Sequence, residues 1–517
     1  MFKKVYSTKI NVIANFAGSV WIALLSIIFV PYYLDYIGVE GYGLIGFFIT
    51  IQAFIILLDF GLSTTLNREL ARLSALEDPA QEMHDLKRTL EIPNWISAVF
   101  IGLLLFALAP LFAHFWVQPK QLSIETVTQA LIIMGVNIAL LFSANFYNGG
   151  LIGLQKQLLL SLINIICGTL RSAGAFVVLA FVSPTIQAFL LWQGSVALLQ
   201  VFLMAFTLKN SLPTASAKGH FQKSSLRKIW RFAAGMTGIS VVSLIITQTD
   251  KVILSRMLDL EAFGYYNIAV TISSMAIGMV VSSITHAVFP QFSRLVSLGD
   301  ETVLREFYHR SCQIMSALLF PIMIILTLFS YDILLVWIKK EEIADNTYML
   351  LSLVAFGSGL NGLVWLPHCL QLAHGWTKPL FYINVVMIIF LIPLTVFAVY
   401  RYGAVGGASV WVLLNASYFF TTIQIMHRRI LKGEKMKWFF EDLGIPFFTA
   451  VLVAGTGKIL LTSNHTRFEI IAGLIAISAV TLLSTAFSTK ATRDYLGHFR
   501  NVLLHSWVKI NRFYENE

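Results

Sequence analysis

The stretch SLIITQTDKVILSRMLDLEAFGYYN, residues 243–267, decides the fold. Its first part ends an apolar run that begins near residue 229 and is long enough to cross a bilayer as a helix, for which about 20 residues suffice. Asp250-Lys251 interrupts that run, although a charge at the centre of a membrane helix costs roughly 2.5 to 3.5 kcal/mol on insertion scales. Such a pair implies a polar partner or a cavity. The last part, Glu261-Ala-Phe-Gly264-Tyr-Tyr266, repeats Glu40-Gly-Tyr-Gly43-Leu-Ile45 from much earlier in the chain.

The rest of the chain has the same apolar character. Of 517 residues, 57% are hydrophobic and only 12% charged, where a soluble domain carries about 25% charged residues. The composition is that of an all-α, polytopic integral membrane protein. The bilayer-length template gives about fourteen transmembrane helices, near 10–34, 41–66, 92–117, 126–150, 156–182, 184–208, 229–257, 262–288, 309–336, 346–373, 376–400, 404–426, 443–462 and 467–489. The first follows Lys3, Lys4 and Lys9, but it is too long for a signal peptide, lacks a small-residue cleavage site, and reads as a retained helix. Cys167, Cys312 and Cys369 all fall inside spans without Cys-x-x-Cys or Cys/His ligand spacing, so they read as packing residues. No metal or cofactor is expected.

A formal charge of +10 raises the question of nucleic acid, and the placement of the charges answers it. Of the 37 Lys and Arg residues, 28 lie at the N-terminus, in every second loop and in the C-terminal tail; six occupy the alternate loops. The other three, Arg171, Lys251 and Lys458, lie inside spans. By the positive-inside rule both termini are cytoplasmic, which requires an even number of spans. The basic balance therefore speaks of membrane topology, and no nucleic-acid partner is expected.

Two further pairs of segments repeat at an offset of about 221 residues: 70–76 with 292–298, and 162–166 with 382–386. Six helices separate the copies, an even number, so the copies share one orientation and an axis along the membrane normal relates them. The expected organisation is an N-terminal six-helix lobe at 1–208, a basic cytoplasmic linker at 209–228 and a second six-helix lobe at 229–426. Two additional helices at 427–489 and an amphipathic cytoplasmic tail at 490–517 complete it.

Polar residues form stripes on the apolar helices. Thr237, Ser240, Ser243, Thr247 and Asp250 share one face of the seventh span, and Gln52, Asp59, Ser63 and Asn67 lie along the second. For Ser, Thr and Gly, close helix packing is sufficient explanation. For Asp59, Arg171 and Asp250 it is not, because an unpaired charge in hydrocarbon is far costlier. Lys251 stands roughly 100 degrees round the helix from Asp250, so it is not automatically its partner. Arg171 shares a face with Asn164, and the fourth span adds Asn137, Asn145 and Asn148. An arginine fork suits pyrophosphate or carboxylate, and Asn suits sugar hydroxyls. The candidate substrate or ion pathway is therefore Asp59, Asn145, Asn148, Asn164, Arg171, Thr247, Asp250 and Lys251. No catalytic residue is expected: Walker A, GxSxG and HExxH are all absent, and the predicted outer loops are short.

Three stretches carry a resemblance. They are Leu58-Asp59-Phe60-Gly61-Leu62, then Asp250-Lys251-Val-Ile-Leu254 with Phe263-Gly264-Tyr265-Tyr266-Asn267-Ile268-Ala269, and Gln371-x3-Gly375-x2-Lys378. With them the chain resembles the polysaccharide-transporter branch of the multidrug, oligosaccharidyl-lipid and polysaccharide exporter superfamily, which includes O-antigen and capsule repeat-unit flippases. The resemblance implies a bacterial or archaeal cytoplasmic-membrane carrier, not an enzyme, that turns a polyprenyl-pyrophosphate-linked glycan from the inner to the outer leaflet. It implies membrane lipid as a further partner, and a polysaccharide polymerase and a chain-length regulator as neighbours. Related carriers of the peptidoglycan precursor place arginines in the first span; this chain has none there, which argues against that substrate. A cation-coupled multidrug exporter of the same fold is the alternative, followed by a membrane enzyme or scaffold of polysaccharide assembly.

Overall fold

The computed structural model describes residues 2–55, 59, 61–76, 79–215, 217, 219–222, 244–245, 247–376, 378–461 and 466–494, with side chains from Gly18 onward except at 378–381. Among these residues all regular structure is helical. That is the physical expectation in lipid, where no water satisfies an exposed N–H or C=O and each segment must bond its own backbone. The order is α1 (Phe2–Ile55), α2 (Leu62–Leu73), α3 (Ala80–Phe115), α4 (Ile124–Gly153), α5 (Gln157–Thr169), a π turn (Leu170–Gly174), α6 (Ala175–Phe181) and α7 (Ile186–Ser211). After a helical segment at 247–257 come α8 (Leu260–Leu298), α9 (Glu301–Leu328), α10 (Ser330–Ile338), α11 (Glu341–Ala373), α12 (Lys378–Arg429), a second π turn (Trp438–Gly444), α13 (Ile445–Leu460) and α14 (Arg467–Ser488).

Several helix starts carry the cap the sequence offers. Ser123, Thr185 and Asp300 each accept a backbone N–H from the third residue on, and Thr466 with Glu469 forms a capping box. Among the described residues eleven helices are long and apolar enough to cross a membrane. Two of them, α1 and α12, run to 54 and 52 residues, about 80 Å at 1.5 Å per residue, against a hydrocarbon core of ~30 Å. Each is broken by a kink at one glycine, Gly38 (φ 70°, ψ 177°) and Gly403 (φ 60°, ψ −142°), which divides it into two helices. Dividing both helices there yields thirteen segments at expected spans. The seventh expected span is described only at 244–245 and 247–257, and its stripe residues Thr237, Ser240 and Ser243 lie outside the described residues, as do most of the linker beyond 222 and the tail beyond 494.

The chain packs as two compact units, Met1–Asn267 and Ile268–Glu517. In the first, Leu66 and Leu70 of α2 pack with Phe146 and Tyr147 of α4 and Met204 and Leu208 of α7. The duplicated motif meets itself within this unit. A Cβ on Gly43 would lie 2.4 Å from the carbonyl oxygen of Leu260, and one on Gly264 would lie 2.4 Å from that of Val39. Both pairs are related by the 221-residue offset of the sequence repeat. The side chain of Asn267 covers Gly46, its counterpart at the same offset.

The connection after α3 ties this corner down. Glu40 accepts the backbone N–H groups of Lys120, Gln121 and Leu122 at 2.7 to 3.0 Å, and Lys120 Nζ pairs with Asp259 at 2.8 Å. Partial burial pushes the Asp259 carboxyl upward, but the Ala262 N–H and the Lys120 ammonium outweigh it and hold it below the usual range. In the second unit, Phe292, Tyr308, Met315, Phe320, Met426 and Trp438 are among the core residues. There Lys458 of α13 pairs with Asp332 of α10 at 2.5 Å.

Two predictions follow from these corners. A Cβ on Gly403 meets no atom within 4 Å, so Gly403→Ala tests the backbone alone and should cost about 1 to 3 kcal/mol in thermal unfolding of the detergent-solubilised protein. Gly102→Ala, whose Cβ would touch only the Ala139 methyl at 3.6 Å, should be neutral or stabilising. For Asp259, whose carboxyl is depressed in the fold, the stabilisation is present at neutral pH and disappears as pH falls through its folded-state range. A double-mutant cycle of Lys120→Ala and Asp259→Asn should therefore show a favourable coupling at pH 7 that vanishes in acid.

Candidate functional site

A pocket of ≈ 210 Å³ lies inside the first unit. Its polar lining is Gln52 of α1, Asn145 and Asn148 of α4, Asn164 of α5, Arg171 of the π turn and Gln200 of α7; Ile55, Ile138, Leu141, Phe142 and Met204 are among its apolar walls. Four of the eight candidate residues thus meet in one cavity. Sites that enclose whole drug-sized ligands run to ~300–1,000 Å³, so this is one subsite and not the container of an oligosaccharide.

The π turn places Arg171. It widens the helix and disturbs the regular i to i+4 pattern, a feature that recurs at functional sites. Neighbouring helices supply donors to the carbonyls in this turn. Trp192 Nε1 donates to Leu170 O at 2.8 Å, Gln193 Nε2 to Arg171 O at 3.1 Å, and Tyr33 Oη to Ser172 O at 2.8 Å. Gly174 permits this, because a Cβ there would lie 2.4 Å from the Trp192 ring. Trp21 Nε1 donates to Thr169 Oγ1 at 2.9 Å beside the same turn.

Arg171 Nη2 donates to Gln200 Oε1 at 2.7 Å, and Gln200 Nε2 donates to Asn164 Oδ1 at 3.1 Å. Among the described residues no carboxylate lies within ion-pairing distance of Arg171. The cavity therefore holds a cation whose charge is solvated by an amide and left uncompensated, together with the buried Oδ1 of Asn148, which has no partner among the described residues. Such an arrangement favours an anion with hydroxyl groups beside it. The second copy preserves the scaffold without the charge. Tyr418 Oη donates to Asn384, the counterpart of Asn164, at 2.9 Å, while the positions matching Arg171 are Leu391 or Ile392.

The other candidates lie elsewhere. Asp59 is buried and accepts both the N–H and the hydroxyl of Ser63, the latter at 2.7 Å, at the start of α2. It reaches the cavity wall only through Ser63, whose hydroxyl accepts from Asn145 at 3.4 Å. Asn137 is fully engaged in packing and donates to Leu190 O. On the segment 247–257, Asp250 is buried and accepts from Tyr266 Oη at 2.6 Å, while its second oxygen has no partner among the described residues. Lys251 turns away to Gln248, and the Thr247 hydroxyl donates to Leu244 O. Gln200 is the functional neighbour that the stripe argument missed; its signal in the sequence is the heptad spacing from Gln193, which puts both amides on one face of an apolar span.

Residues 9–296, more than half of the chain, match the family described as Polysaccharide biosynthesis protein. The chain belongs to that family. Residues 194–474 also match the family described as Lipid II flippase MurJ, a match that leaves out the first span and its missing arginines. A Shigella flexneri protein named as an O-antigen transporter is 23% identical over 270 residues, 52% of this chain and 61% of that protein, so less than two thirds of the relative is covered. Among solved structures, lipid II flippase MurJ in an inward closed conformation superposes with a TM-score of 0.71 at 16% identity, over 92% of this chain and 98% of that one. An inward-facing multidrug resistance transporter of the MATE family gives 0.63 at 14% identity, over 83% and 96%. At such identities the likeness is one of fold, and it is the fold of the superfamily that the three sequence stretches resembled.

If the cavity is an anion site, inorganic pyrophosphate should raise the thermal midpoint of the purified protein, by the equivalent of about 2.7 kcal/mol at a hundredfold excess over the dissociation constant. Arg171→Gln should abolish the shift. Arg171→Lys should retain only part of it, since an ammonium keeps the charge but loses the fork.

Proposed function

We propose that this protein is a flippase that moves a polyprenyl-pyrophosphate-linked oligosaccharide across the cytoplasmic membrane for surface polysaccharide synthesis. The observation that carries this reading is the uncompensated Arg171 in a cavity otherwise lined by amides, within a chain of the polysaccharide biosynthesis family. Arg171 engages the anionic headgroup, and Gln52, Asn145, Asn148 and Asn164 receive sugar hydroxyls. The polyprenyl chain stays in lipid, where burial of each CH₂ contributes about 0.8 kcal/mol. Two six-helix lobes alternate access. Asp250, with one oxygen committed to Tyr266 and the other unengaged among the described residues, supplies a charge whose solvation differs between the two states, which is what alternating access requires. The bias of Lys and Arg supports cytoplasmic termini, and a polymerase and a chain-length regulator are the proposed neighbours.

The MATE-like fold keeps a cation-coupled multidrug exporter as the second reading. The same arginine argues against it, because an uncompensated cation in the cavity repels cationic drugs.

The deciding experiment deletes the gene in a host without a redundant carrier and follows lipid-linked repeat units on the inner leaflet. Wild type should clear the accumulation, whereas Arg171→Ala and Asp250→Asn, at equal membrane abundance, should leave it at least tenfold above wild type. Normal surface polysaccharide with no accumulation in the deletion strain would remove the flippase reading in favour of the exporter.

A further inference from the structure

The second unit contains a buried ionic cluster that transport of a glycan does not call for. His309 on α9 is 3% exposed and lies between two carboxylates. Its Nδ1 is 2.5 Å from Asp442 Oδ2 and its Nε2 is 3.0 Å from Glu434 Oε2. Each contact needs a proton between nitrogen and oxygen, and a neutral imidazole carries only one N–H. The three groups therefore hold two protons, whether the second is assigned to the ring or to a carboxyl.

Charge leads to the same count. Arg305 Nε lies 3.2 Å from Glu434 Oε1, so one cation already faces the two carboxylates. Counted over His309, Asp442, Glu434 and Arg305 alone, the second proton makes the set neutral, and its loss leaves one negative charge beside an Asp442 that is 0% exposed. The other titratable groups around it are Tyr308 and Cys312 on α9, His427 on α12, and Lys435 and Lys437 beside the π turn. Among the described residues none of them donates to either nitrogen of His309.

The cluster gathers distant pieces of chain. Asp442 sits in the π turn Trp438–Gly444 that leads into α13. Gln313, one turn beyond His309, donates to Asp442 Oδ1 at 2.9 Å and accepts the Ala491 N–H, just past α14, at 3.0 Å. Ser316 Oγ donates to the Asp442 carbonyl at 2.6 Å. One face of α9 thus holds both the entrance to α13 and the exit from α14.

We propose that His309, Asp442 and Glu434 form a proton-binding site that docks the last two helices onto α9. The site is independent of the Arg171 cavity and of the flippase reading. When the second proton leaves, one contact sets two lone pairs face to face at hydrogen-bond distance in a buried space, and the docked state weakens. Docking is therefore strongest at acidic pH and is lost as pH rises, by up to about tenfold per pH unit while one proton is exchanged.

The test uses the full-length protein in detergent in a pH series from about pH 6 to about pH 9. Hydrogen exchange in 435–460 and 467–488 should accelerate with pH beyond the increase seen in α4, the internal reference, and the thermal midpoint should fall in parallel. His309→Gln should flatten both slopes. Asp442→Asn, which brings its own N–H to the ring, should flatten them too, and it serves if His309→Gln fails to fold. Wild-type exchange in these helices that merely follows α4, or a variant that keeps the full pH slope, overturns the proposal; the wild-type measurement needs no variant.

Discussion

A backbone in hydrocarbon has no water to bond with, so a departure from the α-helix either falls between the spans or needs bonding partners from its neighbours. At Gly38 and Gly403 the departure is a single residue in a conformation that only glycine adopts readily. At Leu170–Gly174 it is a π turn whose carbonyls are met by Trp192, Gln193 and Tyr33 from neighbouring helices. These partners fix the backbone under Arg171, so the position of the guanidinium follows from the packing of three helices.

The charges within the apolar segments follow a related rule with different outcomes. Lys458 and Asp332 neutralise each other as an ion pair, and the Asp442 carboxylate is met by a histidine and an amide from one face of α9. Arg171 receives only an amide oxygen. Where full compensation is built, the cluster holds helices together; where it is withheld, the protein retains electrostatic attraction for something it does not itself contain. The two π turns carry one residue of each kind, Arg171 in the first unit and Asp442 in the second.

The duplication shows what was kept and what was changed. The glycine contacts Gly43 with Leu260 and Gly264 with Val39 repeat because two helices can approach so closely only where Cβ is absent. Asn164 and Asn384 both accept from a side chain on the following span, Gln200 in one copy and Tyr418 in the other. The cation occurs in the first copy alone. A polysaccharide-family member and a multidrug exporter share the scaffold.

The span pattern, the repeat, the family and the residue types around the cavity were legible in the sequence, because hydropathy and helical periodicity are local properties of a chain in lipid. Asn145, Asn148, Asn164 and Arg171 could be grouped from helix faces alone. The sequence could not show that Asp59 accepts from Ser63 at the start of α2, nor identify Gln200 as the partner of Arg171. It gave no sign that His309 would meet Asp442, 133 residues away. Those outcomes depend on which face of one helix meets which face of another, a long-range result of packing and of the need to satisfy buried polar atoms, and only the tertiary structure decided them.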